Sequence, residues 1–226
     1  MVVKPSLKIV IRGHVRDSFS TDLLYDFLRR LTDIYDTKFY IHTWKVKQTS
    51  VSWRPIEDDA TVITMDTVES YFRELAANIK VLIIEDESDA RLCGSTEGKL
   101  ASTRTPKLGW KRYIYGQFRI LRHLRMISND DAEFLLNTRF DLFSNSYVFP
   151  IDEIVRFVAR TRGGKIDKNV FMREGVYCGV DNIIAGTIRS NYELMKKIHE
   201  DLDDIVAETP DIRNPEFFVP IANGLL

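Results

Sequence analysis

The chain of 226 residues is poor in cysteine, with only Cys93 and Cys178. Two thiols cannot build a disulfide framework or a Cys-rich zinc site, and reduced thiols suit a reducing compartment. No apolar run approaches the roughly 20 residues that a membrane helix needs. The opening stretch, MVVKPSLKIVIRGHVRDS, is broken by Lys8 and Arg12 and is too charged for a signal peptide. Neither sign of charge dominates, because 32 Lys and Arg face 33 Asp and Glu for a net charge of -1. That balance argues against a protein held on nucleic acid by its overall charge. There is no GxGxxG and no GxxxxGKS/T, so neither a dinucleotide fingerprint nor a P-loop is supported. The expectation is a soluble, cytoplasmic protein with no transmembrane segment and no nucleic-acid partner.

What is present is an ordinary globular balance, 44% hydrophobic and 29% charged. LKIVIR (7–12) and KFYIHTW (38–44) are short, apolar and rich in β-branched or aromatic residues, as buried parallel strands are. Further strands are expected at 61–65, 80–84 and 133–139, with a strand or hairpin at 170–179. Helical spacing of apolar residues marks 20–35, with Ser20 or Thr21 as N-cap, and also 67–77, 108–126, 151–160 and 191–205. Residues 45–59 and 88–106 read as loops, the second long enough to act as a lid over a ligand. The alternation predicts a single α/β domain over 1–226, with a mostly parallel central sheet flanked by helices. An irregular tail is expected from about 207 to 226, where three prolines occur.

Ligands of open α/β sheets bind at the carboxyl ends of the strands. The first strand leads into Arg12, Gly13, His14 and Arg16, a group able to wrap an anion, with Gly13 allowing close backbone approach. The second ends in His42 and Trp44, two apart and therefore on one face. The third runs into Glu85, Asp86 and Glu87. The fourth closes on Asn137-Thr138-Arg139-Phe140-Asp141, where a cation and a carboxylate could hold a phosphate and its metal, or simply pair with each other. Lys107 and Lys111 near a helix N-terminus could face a diphosphate, or form part of a solvated stripe. Asp181, in CGVDN, could serve as a general base or cap the following turn.

Taken in order, IRGHVRDSF, FYIHTW, SWR, GWKRYIYGQF, NTRFDLF, GVDNIIAG and NPEFF resemble a known set. The chain resembles small GT-A-type glycosyltransferases of bacterial surface-polysaccharide clusters and of large DNA viruses that glycosylate their own capsids. The likeness runs from about Lys8 to Phe218. It implies a GT-A-like (Rossmann-like) sheet and a nucleotide-sugar donor, UDP favoured. The acceptor would be a hydroxyl of a glycan or glycoprotein, and the location the cytoplasm, the host's if the protein is viral. Arg12, Gly13, His14, Arg16, His42, Trp44, Arg54, Lys107, Trp110, Lys111 and Arg139 would then bind the donor. Such enzymes use a DxD motif to hold Mn2+ or Mg2+. The matching position here reads Arg139-Phe140-Asp141, leaving Asp141 as the metal ligand and Asp86 or Glu87 as substitutes. The base toward the acceptor would be Asp181, with Glu216 second. Two other readings stay open: a nucleotidyltransferase, and a non-catalytic nucleotide- or sugar-binding module.

Overall fold

A computed structural model describes residues 3–52, 54–144, 148–164, 168–175 and 178–224. In chain order the elements are β1 (Ser6–Arg12), α1 (Leu23–Ile34), β2 (Asp36–Trp44), β3 (Val46–Gln48), β4 (Asp59–Val62), α2 (Met65–Phe72), β5 (Ile79–Glu85), α3 (Lys107–Ile127), β6 (Phe134–Arg139), α4 (Ile151–Arg162), β7 (Val170–Phe171), β8 (Ile183–Thr187), α5 (Ile188–Glu208) and α6 (Phe218–Ala222). Six strands form one sheet in the order β5-β2-β1-β6-β8-β7, and β3 and β4 form a separate antiparallel ribbon. The run β5-β2-β1-β6 is parallel, whereas β8 lies antiparallel to both β6 and β7.

The apolar run of β1 is explained by helices on both faces of the sheet. Leu7, Ile9 and Ile11 project to the side covered by α1, α2 and α4, where they meet Phe27, Leu28 and Phe72. Val10 projects to the other side, packed with Ile114 and Leu121 of α3 and Ile198 of α5. The two-residue period of the strand thus divides one sequence run between two cores. Among the described residues, no helix is long and apolar enough to cross a membrane.

The α/β class, the single domain and the mostly parallel sheet agree with the sequence expectation, but several boundaries differ. Helix α1 starts at Leu23, and Asp22 rather than Ser20 or Thr21 sits at its N-cap, making no side-chain capping bond. The helix expected at 67–77 stops at Phe72, where Arg73 takes φ +53°, and continues as a 3-10 turn over Arg73–Asn78. The loop expected at 45–59 contributes β3. The tail is not irregular throughout: α6 buries Phe218, Val219 and Ala222 in the core shared with α3 and α5. Asp181 precedes a strand rather than following one, because β8 begins at Ile183.

Candidate functional site

Chain order reverses across the sheet at β1 and β6, since β2 lies on one side of β1 and β6 on the other. Such a switch point opens a crevice at the carboxyl edge. A cleft of about 760 Å³ lies there, reached by Arg12, Arg16, Trp44, Tyr113, Asp141 and Asp181, among others. The register explains the concentration of charge: Arg12 stands opposite Arg139 of β6 and His42 of β2. Strand β8 enters in the opposite sense, so the residue before it, Asp181, comes to the same edge.

Asp141 is the centre of a buried cationic cluster. Arg139 grips it through two nitrogens, Nε to Oδ1 and Nη2 to Oδ2, the latter at 3.0 Å. Arg16 Nη1 donates to Oδ2 at 2.9 Å and Arg54 Nη1 to the same oxygen at 3.3 Å. Burial alone would raise the Asp141 pKa, but the three guanidinium groups overcome it and hold the carboxyl far below its usual range. Arg139 also donates from Nη1 to Asp181 Oδ2 at 3.3 Å and to Asn182 Oδ1 at 3.2 Å. Arg16 adopts φ +50°, an uncommon conformation for a non-glycine residue, after Gly13 turns the chain at φ +97°.

Arg12 is fully buried and committed to the scaffold. Its Nε donates to Asn137 Oδ1 at 3.2 Å, its Nη1 to the Tyr113 hydroxyl and its Nη2 to the Asp181 carbonyl. Tyr113 donates in turn to that carbonyl at 2.9 Å, and burial pushes its phenol well above the ordinary value. These bonds fix the backbone of Asp181. Its Oδ1, by contrast, is buried with no hydrogen-bond partner among the described residues. Glu216 Oε2 accepts from the Gly179 amide at 2.6 Å, at the start of the same turn. Burial, then the neighbouring Asp181 charge, raises the Glu216 pKa to about 7.

On the β5 side, Glu87 Oε2 accepts from Arg112 Nη1 at 2.5 Å and its Oε1 lies 3.1 Å from His14 Nε2. Thr49 donates to Glu87 Oε1 at 3.2 Å. Burial raises the Glu87 pKa, but His14 and Arg112 leave it below the usual value. Asp86 turns away and accepts from Ser88. Trp44 lines the cleft while stacked on Tyr115 at 6.1 Å, and Trp110 lines it with an indole N–H that has no partner among the described residues.

Three expected donor-binding residues are placed elsewhere. His42 is fully buried, bonded to Glu85 at 3.1 Å and edge-on to Trp44, so it supports the wall from behind. Desolvation lowers its pKa, favouring the neutral ring. Lys107 and Lys111 point to α5, where Asp203 meets them at 3.2 and 2.9 Å. The turn of α3 that faces the cleft carries Gly109, Arg112 and Tyr113 instead. Gly109 is required there, since a Cβ would fall 2.4 Å from the Val51 carbonyl oxygen. The loop over 88–106 is tied to the α5 side by Ser95 to Asp203 at 2.8 Å and Ser102 to the Pro210 carbonyl at 3.0 Å, and Thr105 reaches the cleft. Trp53 of the SWR segment and part of the expected hairpin at 170–179 lie outside the described residues.

Arg112 and Tyr113 were legible only as parts of GWKRYIYGQF. The phase of the helix decides that they, rather than Lys107 and Lys111, meet the strand ends. As placed, the donor set does not fit a divalent cation at Asp141, because three guanidinium groups already occupy both of its oxygens. No protein-family model matches the chain, and no curated protein matches it.

Proposed function

We propose that the chain is a nucleotide-sugar-dependent glycosyltransferase that moves a hexosyl or pentosyl unit to a hydroxyl of a glycan or glycoprotein. The observation that carries this reading is the meeting of two unlike features at one cleft. Arg16, Arg54 and Arg139 surround Asp141, and Arg139 also reaches Asp181, whose other carboxylate oxygen is unpartnered among the described residues. The strand order supports it further, since the cleft lies at the carboxyl edge where the order reverses.

The chemistry follows from those features. The bond from the anomeric carbon to the diphosphate oxygen breaks, and its electron pair leaves with the diphosphate. Guanidinium groups aimed at that charge lower the barrier. The acceptor oxygen forms the new bond to the anomeric carbon and gives its proton to Asp181 Oδ1. Trp44 and Trp110 offer apolar walls to a base or sugar ring. A nucleotidyltransferase would need carboxylates free to hold two metals, and the pairing of Asp141 weighs against it. The saturation of Asp141 is also what favours the second reading, a binding module without turnover.

Calorimetric titration with UDP-, GDP- and dTDP-sugars tests the proposal. Binding of one nucleotide class, followed by transfer to an added glycan, is expected. Failure of every donor to bind overturns it, and binding without transfer or donor hydrolysis moves the reading to the binding module.

A further inference from the structure

The carboxylate that the family resemblance assigns to a metal is already neutralised by side chains of this chain. Three guanidinium groups bond to Asp141, and its side chain is only 5% exposed. A cation would have to enter among three like charges, with one nitrogen already bonded to Oδ1 and three to Oδ2. The local charge points the same way. Arg12, Arg16, Arg54 and Arg139 bring four positive charges, against two negative charges on Asp141 and Asp181. An anionic diphosphate would offset this positive surplus, whereas a divalent ion would enlarge it inside a buried cluster.

We propose that this cleft takes the donor's diphosphate without a divalent cation, with Arg16, Arg54 and Arg139 as the receptor and Asp141 as the internal counter-ion that positions them. The inference rests on the transferase reading, because it names how that same site holds its donor. Arg16 is the first point of contact. It makes one side-chain hydrogen bond among the described residues, through Nη1, and lines the cleft. Its remaining N–H donors can therefore meet phosphate oxygens while Asp141 keeps the guanidinium in place. Arg139 bonds to Asp141 with two nitrogens, so its plane is set before any ligand arrives. Arg12 contributes charge from beneath, fully buried and bonded to the scaffold through all three nitrogens.

The test is calorimetry on the full chain with UDP, GDP, dTDP and inorganic pyrophosphate, each in EDTA and in manganese chloride. Binding in EDTA, not strengthened by manganese, is expected. Arg16→Gln and Arg54→Gln are each expected to weaken it by about tenfold, the worth of one charge-assisted hydrogen bond. Binding that appears only with manganese overturns the inference and leaves the transferase reading intact. Pyrophosphate binding in EDTA with no nucleotide or nucleotide-sugar bound supports the metal-free receptor and overturns the donor assignment. No binding of pyrophosphate or of any nucleotide in EDTA overturns the inference. So does unaltered affinity in both variants, with their folding verified by circular dichroism. The wild-type comparison decides the metal question even if a variant does not fold.

Discussion

Asp141 and Asp181 stand at the same cleft, both nearly buried, both bonded to Arg139, and their surroundings give them opposite chemistry. Asp141 ends β6 inside a ring of three arginines and has no oxygen to spare. Asp181 precedes β8 and its side chain bonds only to Arg139 among the described residues, so Oδ1 is buried without a partner. Beside it, Glu216 binds protons up to about pH 7. A carboxylate's role is thus set less by its burial than by how many cations reach it: saturated, it organises charge; half-satisfied, it can accept a proton.

Breaking the saturated side should have the largest effect on folding. Asp141→Ala leaves Arg16, Arg54 and Arg139 without their shared anion, and removing one partner from a buried charged cluster costs about 3 to 5 kcal/mol. Urea unfolding measures this, and a loss below about 1 kcal/mol, the worth of a surface pair, would mean that the cluster is solvated. Asp181→Asn should reverse the pattern. It removes a charge that pairs with Arg139 but keeps an oxygen toward it, so stability should fall less than for Asp141→Ala, while transfer should fall by about 10² to 10⁴, the usual share of a general base. Steady-state rates on the folded variant check this, and an undiminished rate would remove Asp181 from the reaction.

The last effect is confined to a pH window and sharpens the same contrast. Glu216 ionises near 4.5 when unfolded and at about 7 when folded, so folding takes up a proton between those values. Stability from this group is therefore greatest in acid, falls as pH rises from about 4.5 to 7, and is level above. Glu216→Gln should remove that slope from the urea-unfolding free energy measured across the window. An unchanged slope would place the proton on another group.

The parallel half of the molecule was readable because β1, β2 and β6 are largely buried on both faces and therefore mostly apolar. LKIVIR, KFYIHTW and EFLLNTR delimit β1, β2 and β6 to within two residues. The antiparallel half was readable only at 170–179, where β7 and an antiparallel bridge between Glu174 and Cys178 fall. In β8, IIAGT is five residues with a glycine inside it, placed because a Cβ at Gly186 would strike Asn169 and Ser190. In α6, FVPIA is one turn interrupted by proline and carries no helical period to detect. The site was legible in part. Position near element ends marks Arg16, Arg139, Asp141 and Asp181, and the cleft contains all four. Charge near a helix start marks Lys107 and Lys111, but a helix turns about 100° per residue, and Asp203 on α5 claims them both.

Local sequence alone determined the α/β class, the parallel strands and the presence of charge at their carboxyl ends, because periodicity and residue type act over a few neighbours. Which charges meet was decided only in three dimensions. Asp141 and Asp181 are 40 residues apart, Arg16 lies 125 residues before Asp141, and Arg54 comes from a loop with no periodicity. Their approach depends on strand order, on the reversal at β1 and β6, and on the direction in which β8 enters the sheet. Coulomb interactions and desolvation act on distance through space, so the threading of the chain decides which of the two carboxylates the arginines enclose.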